Sequence, residues 1–200
     1  MPEQSAIAYQ EGRKAFVAGI SWQPISQSGY SKRTAEIREL ADRIDATKQI
    51  QLKTGYGVYV GLYNYDPDIS DEERKGSMYS LAALLAKKVG TQNTILFWRI
   101  KDGYRKDEVA LIVIEEGAPS LDFVASENEA MSTLQSYIDG SVNSTVYQLF
   151  SNAPDLLPDA IVVDNTLLSG QFKSEFAFQG LPTDFIKAGG VLLLVMVAAG

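Results

Sequence analysis

NTILFWRIKDGYRKDEVALIVIEEGAPSLDFVAS, residues 93–126, holds three β-rich runs joined by two short connectors. Residues 94–100, 108–115 and 120–124 are dense in Val, Ile, Leu, Phe and Trp, the side chains that suit a pleated surface. The first connector, KDGYRKD at residues 101–107, contains Asp-Gly, a pair that favours the positive φ values of a hairpin. Gly117, Ala118 and Pro119 turn the second run into the third. Residues 109–114 are apolar without a break, a texture that predicts a central strand covered on both faces. Helical signals flank the trio. Residues 77–89, SMYSLAALLAKKV, predict an apolar helix with Lys87 and Lys88 in its last turn and Gly90 as its stop. Beyond the trio, Ser126 and Glu129 have capping-box spacing for a helix running to about Asp139, before Gly140. The fold class that follows is α/β, a mixed sheet with packed helices.

Towards the N-terminus, KAFVAGISW at residues 14–22 predicts a buried strand in which Ala18 and Gly19 permit close backbone approach and which Pro24 ends. Ser31 is a candidate cap for a helix that gathers Ala35, Ile37, Leu40, Ala41 and Ile44 on one face. Its other face is charged and includes the i,i+4 pair Glu39 and Arg43. Strands are expected at residues 49–52 and 57–65, with a bulge at Gly61. Towards the C-terminus, residues 145–150 and 160–163 predict two more, and Phe172, Phe176 and Phe178 follow without a period. Strands followed by a helix occur twice, at residues 49–89 and 94–139, which suggests two lobes near residues 14–90 and 91–164.

With no Cys and no His in the chain, thiolate chemistry, Cys/His zinc sites, Ser-His-Asp triads and imidazole relays are excluded. The net charge of −7 argues against attraction to nucleic acid or to anionic lipid, which recruit basic surfaces. Asp66, Asp68, Ser70 and Glu72 imitate the start of a calcium loop, but Asp71 stands where it needs Gly and Ser77 where it needs Glu. Gly55, Gly57 and Gly61 lack the G-x-G-x-x-G spacing and do not lead into a helix. The carboxylate pairs Asp71 with Glu72, Glu115 with Glu116, and Glu127 with Glu129 have acid/base chemistry available, but each lies at a loop or element end where acidic residues are ordinary. Neither catalytic residues nor a metal site nor a cofactor is expected.

The run AGGVLLLVMVAAG, residues 188–200, carries no charge, amide or hydroxyl. A bilayer span needs roughly 20 apolar residues. Thr183 or Asp184 offers a helix cap before it, and Lys187 a cytoplasmic flank. The expectation, with a buried C-terminal strand or helix of a globular domain as the alternative, is a cytoplasmic domain at residues 1–182 and the opening turns of a transmembrane helix at residues 183–200, anchored through Lys187, Val191, Leu192, Leu193, Leu194 and Val195. The first residues show no secretory signal.

The order FVAGISWQPIS, AEIRELA, YSLAALLAKKVG, NTILFWRIKDG, VALIVIEEGAPSLDFVAS and a late apolar segment resembles the PilO-type pilin accessory proteins of type IVb pilus systems. The resemblance covers most of residues 14–200 and rests on the order of segments. It implies a non-enzymatic scaffold in the bacterial inner membrane, whose cytoplasmic domain docks onto platform proteins, the secretion ATPase or the polytopic core protein. It also implies actin-like or ribonuclease-H-like lobes. Actin-like ATPases carry an Asp-containing phosphate loop after the first strand, where this chain has Ala18, Gly19, Ile20 and Ser21. Asp164 and Thr166 are the nearest substitute. The alternative reading is an actin-like nucleotide-binding module that uses them, and a soluble carboxylate enzyme is a third.

Overall fold

The computed structural model describes residues 5–64, 76–140 and 146–182. The trio is present as β7 (Thr94–Arg99), β8 (Val109–Glu115) and β9 (Ala118–Ala125), an antiparallel meander in register from Thr94↔Ile114 to Val109↔Ala125. Two further strands, β10 (Gln148–Ser151) and β11 (Ile161–Val162), add in parallel on the β7 side, so the sheet order is β11-β10-β7-β8-β9. Three antiparallel strands, a helix, and two strands parallel to the first, ordered 3-2-1-4-5, make a ribonuclease-H-like lobe.

Both faces of this sheet are covered, as the unbroken apolar run in β8 requires. Ile95, Phe97, Leu111 and Val113 meet Ala130 and Leu134 of α3 (Glu127–Gly140) on one face. On the other, Leu96, Trp98, Ala110, Ile112 and Ile114 join the main core with α2 (Leu81–Val89), whose first six residues are all buried. That same core takes in Phe16, Ile50 and Phe176 from distant parts of the chain.

The N-terminal half supplies two smaller sheets. In the first, β1 (Ala6–Glu11) pairs antiparallel with β2 (Lys14–Ala18), and β2 pairs parallel with β6 (Ser77–Ser80). The second has the order β12-β4-β5-β3, antiparallel throughout, from β3 (Ser21–Ile25), β4 (Lys48–Lys53), β5 (Val58–Tyr63) and β12 (Gln179–Gly180). Helix α1 (Tyr30–Arg43) lies on it through Ile37 and Ala41, against Val60 and Leu62. The architecture is thus mixed α/β.

Several local expectations change. The predicted strand at residues 14–22 is two strands, β2 and β3, which belong to different sheets and meet at Gly19 and Ile20. Pro24 does not end the second; it sits in β3 opposite Tyr59, tolerated because β3 is an edge strand. Residues 77–80 are strand rather than helix: Ser80 accepts from the Ala83 N–H and caps α2, so the helix starts at Leu81. Gly61 makes no bulge. It pairs regularly with Trp22 and Ile50, and a Cβ there would meet Ile50 Cγ2 and Trp22 Cη2, each at 2.9 Å. The cap of α1 is Gly29 at φ 87°, in place of Ser31, with no side-chain hydrogen bond. Strand β1 is an addition to the expected strands. The expected pair Glu39 and Arg43 forms, at 2.5 Å. The calcium-like loop at residues 66–75 and the anchor residues Lys187, Val191, Leu192, Leu193, Leu194 and Val195 lie outside the described residues. Among those residues no helix is long and apolar enough to cross a membrane.

Candidate functional site

The residues read in place of a phosphate loop, Ala18 to Ser21, form the joint between β2 and β3; because β1 precedes them, they follow the second strand rather than the first. Ala18, Gly19 and Ile20 are buried there, and Gly19, at φ 78°, adopts a backbone conformation that suits glycine. Its N–H donates to Asp122 Oδ1 at 2.7 Å, and Trp22 Nε1 donates to Asp122 Oδ2 at 3.0 Å. Asp122 belongs to β9 and is 3% exposed. A buried carboxylate of the protein therefore stands against the Gly19 N–H at this joint. Sequence reasoning passed over Asp122; its signal was a single acidic residue inside an apolar strand, since a buried charge needs dedicated partners.

Asp164 and Thr166 are brought together, but as a local cap. Asp164 Oδ1 accepts from the Thr166 N–H at 2.9 Å and from the Thr166 hydroxyl, and so starts the 3-10 turn Asn165–Leu167. These hydrogen bonds, the hydroxyl's first, hold the Asp164 carboxyl below its ordinary range. Asn165 between them lines a small cavity of about 50 Å³ with Tyr9 and Gln10 of β1, Trp98, and Lys101, Asp102 and Gly103 of the β7–β8 connector. That is room for a couple of water molecules rather than a nucleotide.

The connector at residues 101–107 is a compact exposed loop. The Asp107 N–H donates to the Ile100 carbonyl at 2.9 Å and the Ile100 N–H to the Glu108 carbonyl at 2.8 Å, closing its neck. Gly103 and Asp107 carry the positive φ values anticipated from Asp-Gly chemistry, although Asp102 itself does not. Tyr104 at its tip is 58% exposed.

Of the paired carboxylates among the described residues, Glu115 and Glu127 make structural contacts. Glu127 and Asp155 share Arg99, with Arg99 Nη2 at 3.1 Å and 2.8 Å respectively. The Asp155 hydrogen bond is the main reason the Arg99 pKa is raised and that of Asp155 lowered. Asn152 completes this corner, accepting from the Arg99 N–H at 2.6 Å and donating to the Arg99 carbonyl at 2.8 Å. Glu115 accepts from the Tyr147 hydroxyl, whose pKa is raised by burial first and by this carboxylate second. Asp71 and Glu72 lie outside the described residues. No group of three potential metal-ligating side chains occurs among those described.

No family model matches the sequence, and neither does any curated protein. Among solved structures, the chain is similar to the cytoplasmic domain of BfpC, at 10% identity and a TM-score of 0.48 over 90% of this chain and 95% of that one. It is also similar to a Bacteroides thetaiotaomicron protein with an actin-like ATPase fold and unknown function, at 11% identity and a TM-score of 0.42 over 78% of this chain and 66% of that one.

Proposed function

We propose that the chain is a non-enzymatic scaffold component of a type IVb pilus assembly platform in the bacterial inner membrane. In this reading residues 1–182 lie in the cytoplasm and dock onto other platform proteins, the secretion ATPase or the polytopic core protein. The resemblance in segment order supports the setting. The observation that carries the docking role over nucleotide handling is the Gly19 N–H held by Asp122 Oδ1 at 2.7 Å. A buried carboxylate there repels a phosphate from the β2–β3 joint and occupies a backbone donor that a phosphate could use. Asp164 and Thr166 are likewise engaged with each other.

The test is capture of platform components by the full-length protein in detergent, paired with a nucleotide titration. Capture of the secretion ATPase or the polytopic core protein, reduced by Tyr104→Ala in the exposed connector, is expected. Saturable, magnesium-dependent ATP binding abolished by Asp164→Ala would overturn the reading in favour of an actin-like nucleotide-binding module.

A further inference from the structure

Helix α1 covers only part of the outer face of the four-stranded sheet. Ile50 and Leu52 of β4 point into the main core, so strand alternation sends Gln49 and Gln51 to the face that carries α1. The helix packs on Val60 and Leu62 of β5 and on Leu181 just after β12, and Arg38 Nε donates to the Pro182 carbonyl at 2.7 Å, which leaves a gap over Gln49, Gln51 and Gln179. The gap is a groove of about 410 Å³ lined by Tyr30, Arg33, Thr34, Gln49, Gln51 and Gln179 among others. That volume falls in the range of small-ligand pockets.

Among the described residues, the groove holds a cation without a counter-charge. Arg33 Nε is buried with no hydrogen-bond acceptor among the described residues, and none of the described residues that line the cavity is acidic. The carboxylate one turn along α1, Glu36, is already engaged: Oε1 accepts from the Ser26 N–H and hydroxyl, and Oε2 from the Gln27 N–H. A buried donor left unpaired is unfavourable, and an arriving carboxylate satisfies it. Gln51 donates to Gln49 at 3.2 Å and Gln49 to the Gly180 carbonyl at 3.5 Å, so the floor is a row of primary amides that runs to β12, with the Gln51 and Gln179 amides at the groove able to donate and accept. Beside it runs β12, two exposed residues at the edge of the sheet.

We propose that this groove binds an extended acidic peptide segment of a partner protein, with a Glu or Asp carboxylate on Arg33 and the peptide backbone along the glutamines and the β12 edge. Charge complementarity selects the acidic side chain, and the amide row beside an open strand edge selects an extended peptide over a free small carboxylate. The proposal rests on the docking reading and names one surface for it.

The probe is a blocked tetraglutamate peptide added to the 15N-labelled protein, with tetraglutamine and glutarate as comparisons. Saturable shifts of the Gln49, Gln51 and Gln179 side-chain amide signals are expected with tetraglutamate and not with tetraglutamine. Arg33→Gln should weaken this binding by at least about tenfold, and Arg33→Lys by less, because a lysine keeps the charge while losing the planar fork. An equal response to tetraglutamine, unchanged binding in Arg33→Gln, or glutarate binding as tightly as the peptide would each overturn the proposal. Peptide failure with platform capture intact sinks the groove alone, whereas peptide binding without capture sinks the docking reading.

Discussion

Asp122 connects β9 to the joint between two other sheets, with one oxygen on Gly19 and the other on Trp22. Its replacement by Ala leaves a buried N–H and an indole N–H without this acceptor. Hydrogen bonds to charged groups contribute about 1.5–3 kcal/mol each, so Asp122→Ala should lose roughly 2–4 kcal/mol in urea denaturation, after overlap between two bonds to one group is allowed for. Asp122→Asn should lose less, because it retains a carbonyl acceptor. Equal stability of wild type and Asp122→Ala would show that the joint is held by packing alone. At this scale the sequence is least informative: Asp122 sits among Leu121, Phe123 and Val124 with nothing local to announce its partners, which come from a hundred residues earlier in the chain.

At the scale of elements, the transition at Ser80 decides where β6 ends and α2 begins. The hydroxyl accepts from the Ala83 N–H at 3.1 Å in a fully buried setting. Ser80→Ala should cost about 1 kcal/mol, the usual loss for a cap, and hydrogen exchange should accelerate first at Ala83. An unchanged exchange rate there would remove the cap from the account of α2. This boundary also marks what the sequence conveyed and what it did not. Strands β7 to β9 and helix α3 were legible because their pairing and caps are local. Strand β6 was not, because its ladder partner is β2, with Lys14 opposite Ser77, and tertiary pairing overrode a helical pattern. Asp164 and Thr166, read as the nearest substitute for a nucleotide contact, hydrogen-bond to each other, a local pairing that their sequence position does not announce. The Arg33 groove was invisible for a related reason: in a helix read as a solvated charged face, only the neighbouring sheet reveals that one guanidinium nitrogen is buried.

Over the whole molecule, acid should act through carboxylates whose pKa values are lowered in the native state. Glu36 is held down first by the Ser26 N–H, Asp155 by Arg99, and Asp164 by Thr166. Their ordinary values are 4.5 for Glu36 and 3.8 for the two aspartates. A lowered native pKa means that the unfolded chain binds protons more readily. The stabilisation is therefore fully present above the ordinary values and is lost as pH falls through the lowered ones. Urea midpoints should be flat from neutrality to about pH 5 and fall below it. Glu36→Gln should flatten that fall, since it removes the titrating group that ties residues 26 and 27 to α1. A fall of the same steepness in the variant would assign acid sensitivity elsewhere.

The last described residues close the first ones. Strand β12 pairs Gln179 with Gln49, Ala177 bridges Tyr79, the Phe178 N–H donates to the Met78 carbonyl, and Phe172 stacks on Phe16 at 5.3 Å. The β7 to β11 sheet, by contrast, is complete by Val162. Since a chain emerges from the ribosome N-terminus first, the later-made sheet can assemble before the earlier-made one is sealed. Folding in the cell should run against the order of synthesis, with the N-terminal half waiting as an open intermediate for its C-terminal clasp. Proteolysis of ribosome-bound chains of increasing length would show this as late protection of residues 14–63 relative to residues 94–134; simultaneous protection would mean that the clasp is dispensable for closure.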